Sequence, residues 1–191
     1  NILDKFLNKK STCIDIGSCH GSYTRILSKY SKTVYAFEPE RTNFNYLSKV
    51  LNKKNIILKK LALSDKVESN LLYIPNTEGK INTAMSSLFK IDDNKNIKYQ
   101  KIKIQTLDNF FKRKKIINLD LIKIDVEGAE YKIIQGGRRI INVFKPIMII
   151  ETMKKNYSIK KNIFTLLKNK GYFSYYLSRS NLKLKSCNFK N

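Results

Sequence analysis

Asp15, Gly17 and Gly21 stand in the spacing D-x-G-x-x-x-G within "TCIDIGSCHGSYTRIL", residues 12–27, where a short apolar run meets an acid, two glycines and an amphipathic tail. A dinucleotide cradle, G-x-G-x-x-G, holds a pyrophosphate on glycine amides and a helix N-terminus, and a carboxylate beside it would repel the phosphate. An acid ahead of the glycine suits a cationic or neutral ligand instead. Gly17 allows a tight turn and a close backbone approach, and Asp15 can face an ammonium or accept hydrogen bonds. Glu38 follows at roughly the twenty-residue distance at which such folds place the acid that accepts from a ribose diol. The two acids together describe a nucleoside that carries an amino acid and no phosphate. S-adenosylmethionine is that kind of molecule.

The elements that must position these residues alternate as strand and helix. "TCIDIG" (12–17) reads as a strand, 22–30 as a helix, "TVYAFE" (33–38) as a second strand, and "RTNFNYLSKVLNKK" (41–54) as a helix with Phe44, Leu47, Val50 and Leu51 on one face. "NIILKKLAL" (55–63) is the third strand, "LDLIKIDV" (119–126) the fourth and "PIMIIE" (146–151) the fifth. "AEYKIIQGGRRII" (129–141) is a helix interrupted at Gly136-Gly137, and "IKKNIFTLLKNKGY" (159–172) is a helix closed by Gly171. "YFSYYLSRSNLKLKSC" (172–187) is a terminal hairpin turning near Arg179 to Asn181. Between the third and fourth strands, 70–89 and 99–111 suggest added β structure and a short helix, and 91–100 a mobile loop. The fold class is α/β: a Rossmann-like, mostly parallel sheet with helices on both faces and an antiparallel C-terminal hairpin.

Ligands of open parallel sheets bind at the carboxyl ends of the strands. Asp15, Glu38, Ser64-Asp65, Asp125 with Glu127, and Glu151 fall at or just beyond five such ends. Only 15 acidic residues face 38 lysines and arginines, a net charge of +23, so this grouping of acids is a signal rather than scatter. The positive charge invites an anionic partner. The cations are mostly dispersed lysines, however, and no nucleic-acid motif surrounds the tightest runs, "FKRKK" and "KKNIILKK".

At 191 residues and 42% hydrophobic composition, one domain over 1–191 is expected. No apolar run approaches the roughly eighteen residues of a membrane-spanning helix, and no signal peptide is visible, so a soluble, cytoplasmic protein is expected. Three cysteines lack disulfide or zinc spacing. The chain begins at Asn1 and enters its first strand almost at once, which suggests a domain of a larger polypeptide that also builds the glycan it modifies. Oligomeric state leaves no trace in these residues.

"DLIKIDVEGAEYKIIQGG", with "FEPE", "NIILKKLALSD", "MSSL", "TLDNFF" and "KPIMIIE" in this order, resembles the FkbM-type methyltransferases, a class I S-adenosylmethionine-dependent family, over residues 12–151. The resemblance implies a seven-stranded sheet with an antiparallel last hairpin, and O-methylation of sugars, glycolipids or polyketide-type products. "DIGSCHG" departs from the "DIGANxG" common in such proteins at Ser18 and Cys19. The expected S-adenosyl-L-methionine contacts are Asp15, Gly17, Ser18, Gly21, Glu38, Pro39 and Asp125, with Ala62, Leu63 and Ser64 where an adenine would lie.

Methyl transfer to an alcohol needs alignment and a base for the hydroxyl proton. Asp125 is the first candidate, with a helix N-cap as its competing role. Glu127 also qualifies as catalytic, Glu130 reads as a surface or salt-bridge residue of the same turn, and Glu151 could orient acceptor hydroxyls. His20, the one histidine, lies in the glycine loop and is a candidate for catalysis or acceptor contact. Ser86 and Ser87 could bond an acceptor, Asp108 should brace the short helix, and no spacing demands a metal. The expected function is an O-methyltransferase acting on a sugar, glycan or glycolipid hydroxyl. An RNA methyltransferase and a non-catalytic S-adenosylmethionine-binding module are the alternatives.

Overall fold

Thr12–Ile16 forms β1, buried along its whole length because both its faces are covered, as an uninterrupted apolar run in a parallel sheet requires. In the computed structural model, which describes residues 2–77, 80–89, 97–152, 157–177 and 184–187, β1 pairs in parallel with β2 (Thr33–Phe37) on one side. β3 (Ile56–Lys59) continues the sheet beyond β2. Three further strands, β4 (Ala62–Leu63), β5 (Glu68–Thr77) and β6 (Lys80–Ile81), and then β7 (Ile97–Gln105) intervene before β8 (Leu121–Ile124) pairs on the other side of β1. β9 (Ile147–Ile150) follows outside β8, giving a five-stranded parallel sheet of order β3-β2-β1-β8-β9. The order reverses between β1 and β8, so the crevice at their carboxyl ends is the switch point at which such sheets bind ligands.

The register puts helices on both faces. Cys13 pairs with Val34 and Leu121, and these side chains form one core with Leu27 of α1 (Ser22–Tyr30) and with Leu3 and Leu7. The alternate residues point the other way, where Tyr35 and Phe37 meet the rings of Phe110 and Phe111 edge-on in α3 (Leu107–Phe111). α2 (Arg41–Val50) is capped by Glu40, which accepts from the Asn43 amide at 2.7 Å. Its buried face is Asn43 and Leu47 rather than the expected Phe44-Leu47-Val50-Leu51 stripe; Val50 is 39% exposed.

The third strand differs from its expected extent. The Lys59-Lys60 pair interrupts the apolar run and Leu61 bonds back to Lys59, so Ala62–Leu63 leaves the main sheet as β4. β4 pairs in parallel with β7 in a second, four-stranded sheet of order β4-β7-β5-β6, whose core is Ala62, Leu72, Ile74, Ile102 and Ile104. Residues 97–100, expected in a mobile loop, belong to β7, and 91–96 lie outside the described residues. After β8 the expected helix is broken at Gly137 into α4 (Glu130–Gly136) and α5 (Arg138–Phe144).

The chain divides into two compact units, 1–152 and 153–191. In the second, α6 (Tyr157–Lys168) buries Ile163 and Leu167, and Gly171, at φ +82, closes it by donating its amide to the Lys168 carbonyl. β10 (Tyr175–Leu177) and β11 (Leu184–Ser186) pair antiparallel as a hairpin with its own two-stranded sheet, and the expected turn at 179–181 lies outside the described residues. The α/β class with a C-terminal hairpin is therefore present; among the described residues the central sheet has five parallel strands, where the resemblance implied a seven-stranded sheet.

Candidate active site

At the carboxyl ends of β1, β2 and β8 opens a cavity of about 280 Å³. Gly17 forms its floor at φ +78, and a Cβ there would run into the Asp125 carbonyl oxygen, so the loop after β1 and the loop after β8 can approach this closely only through glycine. Gly21, at φ +80, lies outside the cavity; a Cβ there would meet Leu47 at 2.7 Å, so its role is to seat the start of α1 against α2. Between them Cys19 occupies the left-handed region at φ +46 and donates its amide to Glu38 Oε2 at 2.8 Å. Glu40 donates its amide to Oε1 at 2.9 Å. Burial pushes the Glu38 carboxyl up to about 7, against the downward pull of these two amides. Glu38 and Pro39 both line the cavity.

Asp15 lies elsewhere than an ammonium contact would require. It shares a sheet face with Cys13, is 0% exposed, lies outside the cavity lining and accepts from Thr24 Oγ1 at 2.5 Å. Its second oxygen faces the Lys123 ammonium at 3.4 Å, since the β1–β8 register sets Asp15 beside Lys123. Lys123 also donates to the Gly17 carbonyl at 3.0 Å and pairs with Asp125 at 3.2 Å. Burial opposes the charge on Lys123, but the two carboxylates outweigh it and hold the pKa above the ordinary lysine value. Ser18 is likewise buried beneath the loop, its hydroxyl donating to the Asp15 carbonyl.

Asp125, Glu127 and Glu151 line one side of the cavity. Asp125 does not cap the following helix, whose N-cap is Ala129. Burial, then the carboxylates of Asp125, Glu130 and Glu151, push the Glu127 pKa up. Glu130 is buried rather than on the surface and accepts from the Gly128 amide at 3.0 Å, bracing the turn. Ser87 donates its hydroxyl to the Glu127 carbonyl at 2.9 Å and Ser86 to the Thr83 carbonyl at 2.7 Å, so both cavity-lining hydroxyls already hold backbone. Asp108 accepts from the amides of Arg139 and Ile140 and so caps α5 rather than its own helix, which Thr106 caps.

The opposite wall is apolar, with Leu61, Ala62, Leu63 and Leu72. Ser64 lies just beyond it, buried and bonded to Asp65. His20 also stands outside the lining, exposed and edge-on to Tyr46, a position from which it does not reach the cavity. Among the described residues no group of three or more His, Cys, Asp or Glu is arranged to hold a metal. Sequence reasoning missed Lys123. Its signal was a lone cation inside the apolar strand "LIKI", where only a paired charge survives burial.

The cavity thus lies at the switch point of the sheet, rimmed by acids, and comparison with known proteins identifies the family. The model of the methyltransferase FkbM domain matches residues 15–174. No curated protein matches the chain significantly. The structure of methyltransferase FkbM from Methylobacillus flagellatus is similar at TM-score 0.60 and 16% identity, covering 87% of this chain and 39% of that protein. This chain thus spans well under half the length of that relative. A methyltransferase candidate from Streptococcus mutans, solved in complex with SAH, aligns at TM-score 0.51 and 15% identity over 95% of this chain and 89% of its own. Precorrin-6y C5,15-methyltransferase from Geobacter metallireducens aligns at 0.52 and 10% identity over 98% and 80%. With the family model covering most of its length, this chain belongs to the methyltransferase FkbM domain family.

Proposed function

We propose that the cavity binds S-adenosylmethionine and that the enzyme methylates a hydroxyl of a sugar, glycan or glycolipid. The observation that carries the cofactor reading is Glu38, a buried acid anchored by two backbone amides and facing the cavity between the glycine turn and an apolar wall. That arrangement suits a ribose diol, with an adenine against Leu61, Ala62 and Leu63 and the amino-acid end toward Gly17 and Asp125. The structurally similar S. mutans protein, solved with SAH, supports the same assignment.

When bound, S-adenosylmethionine supplies a methyl carbon activated by its sulfonium. The protein's part is alignment, which can contribute about 7 to 11 kcal/mol, and removal of the acceptor's proton. Glu127 takes that proton in this reading. Its raised pKa makes it a better acceptor near neutral pH, whereas Asp125, expected as the base, commits one oxygen to Lys123 and belongs with the cofactor. Glu151 beside Glu127 provides a second carboxylate to accept from a neighbouring hydroxyl, which favours a polyhydroxylated acceptor. A phosphodiester in the same place would meet like charge, and this weighs against RNA despite the net charge of +23. A cytoplasmic location is part of this reading.

Labelled methyl transfer to a panel of sugars, glycolipids and RNA tests it. Methylation of a carbohydrate hydroxyl is expected, with turnover lost and SAH affinity kept in Glu127→Gln. Methylation of RNA alone would overturn the acceptor assignment.

A further inference from the structure

We infer that Lys123 is a positioning residue of the cofactor cleft, holding Asp125 and the Gly17 turn in place against the cationic end of the ligand. The inference rests on the S-adenosylmethionine reading of the cleft and assigns a role to a residue outside the cavity lining.

Lys123 is 4% exposed, and its ammonium holds three oxygens, one by a hydrogen bond and two as ion pairs. They are the Gly17 carbonyl at 3.0 Å, Asp125 Oδ2 at 3.2 Å and Asp15 Oδ1 at 3.4 Å. The Tyr23 ring of α1 lies under the same ammonium at 5.0 Å, so the group is confined on every side that these contacts cover. Asp15 is wholly enclosed and burial pushes its pKa up, while the Asp125 side chain is 36% exposed and lines the cavity, so Asp125 is the carboxylate that faces the ligand. Its ligand counterpart is an ammonium carried by the amino-acid end of the cofactor. Lys123 thus acts through two links at once: it orients Asp125 and, through the Gly17 carbonyl, fixes the turn against which that end of the ligand packs.

The test is calorimetric titration of the whole chain with SAH and with 5′-methylthioadenosine, which lacks the amino acid. Lys123→Met alone would strand Asp15 as a buried unpaired charge. The informative protein is therefore the double variant Asp15→Asn, Lys123→Met, which removes both enclosed charges. Its affinity for SAH should fall roughly tenfold to a hundredfold, the range of a lost charge-assisted hydrogen bond, while methylthioadenosine binding changes by less than about threefold. Asp125→Asn, a change at a part-exposed side chain, should show the same selective loss and serves if the double variant does not fold. Equal losses for the two ligands, or none, would overturn the inference while leaving the cofactor reading intact. Wild-type protein that binds neither compound would overturn both.

Discussion

Glu38 is the residue on which pH should act. Its carboxyl titrates near 7 rather than at its ordinary 4.5 because burial disfavours the charge more than the Cys19 and Glu40 amides restore it. Between those two values the folded protein binds a proton that the unfolded chain does not. Unliganded stability should therefore fall as pH rises through this window, by about 3 kcal/mol in all from this group. Ligand binding has the opposite sign, because ribose hydroxyls donate to the ionised form. SAH affinity should rise with pH up to about 7, by roughly tenfold per unit at the acid end, and level off above it. Titration between roughly pH 6 and pH 8 checks this. A flat profile, or a slope that persists in Glu38→Gln, would contradict it. The place of Glu38 beside the glycine turn was legible in the sequence, because the strand it ends follows the first strand by about twenty residues and pairs with it. Lys123 and the burial of Asp15 were not, because they follow from the β1–β8 register, which pairs residues more than a hundred positions apart.

Elements whose local signals agree came through intact. α1 spans 22–30 as read, since Gly21 at φ +80 starts it, and its buried face is Thr24, Leu27 and Ser28. The break at Gly136-Gly137 also stands where it was expected. The third strand was read too long because "NIILKKLAL" is apolar at both ends, and nothing local tells which sheet each half will join. Asp108 shows the same limit at a helix end. It looked like a brace for α3, but its oxygens reach the Arg139 and Ile140 amides of α5. Asp108→Ala should accordingly lower stability by about 1 kcal/mol, the usual cost of a lost cap, with SAH affinity unchanged. Denaturant unfolding beside calorimetry reads both; a change in affinity would mean that α5 bears on the cleft.

Across the molecule, charge is divided by place. A chain of net charge +23 concentrates Glu38, Asp125, Glu127 and Glu151 around one cavity. Such a site suits a ligand with cationic and hydroxyl groups, even though the protein as a whole would attract anions. The family membership and the five-stranded parallel sheet with its switch point at β1 and β8 rest on this scale, as does the account of the cleft. The structurally similar methyltransferase FkbM from Methylobacillus flagellatus is more than twice this length. The measurement that tests the central claim most directly is calorimetric titration of the chain with SAH, wild type against Glu38→Ala. The account predicts one site per chain, weakened roughly a hundredfold or more when the buried acid is removed. Binding that is equally strong in Glu38→Ala would contradict it.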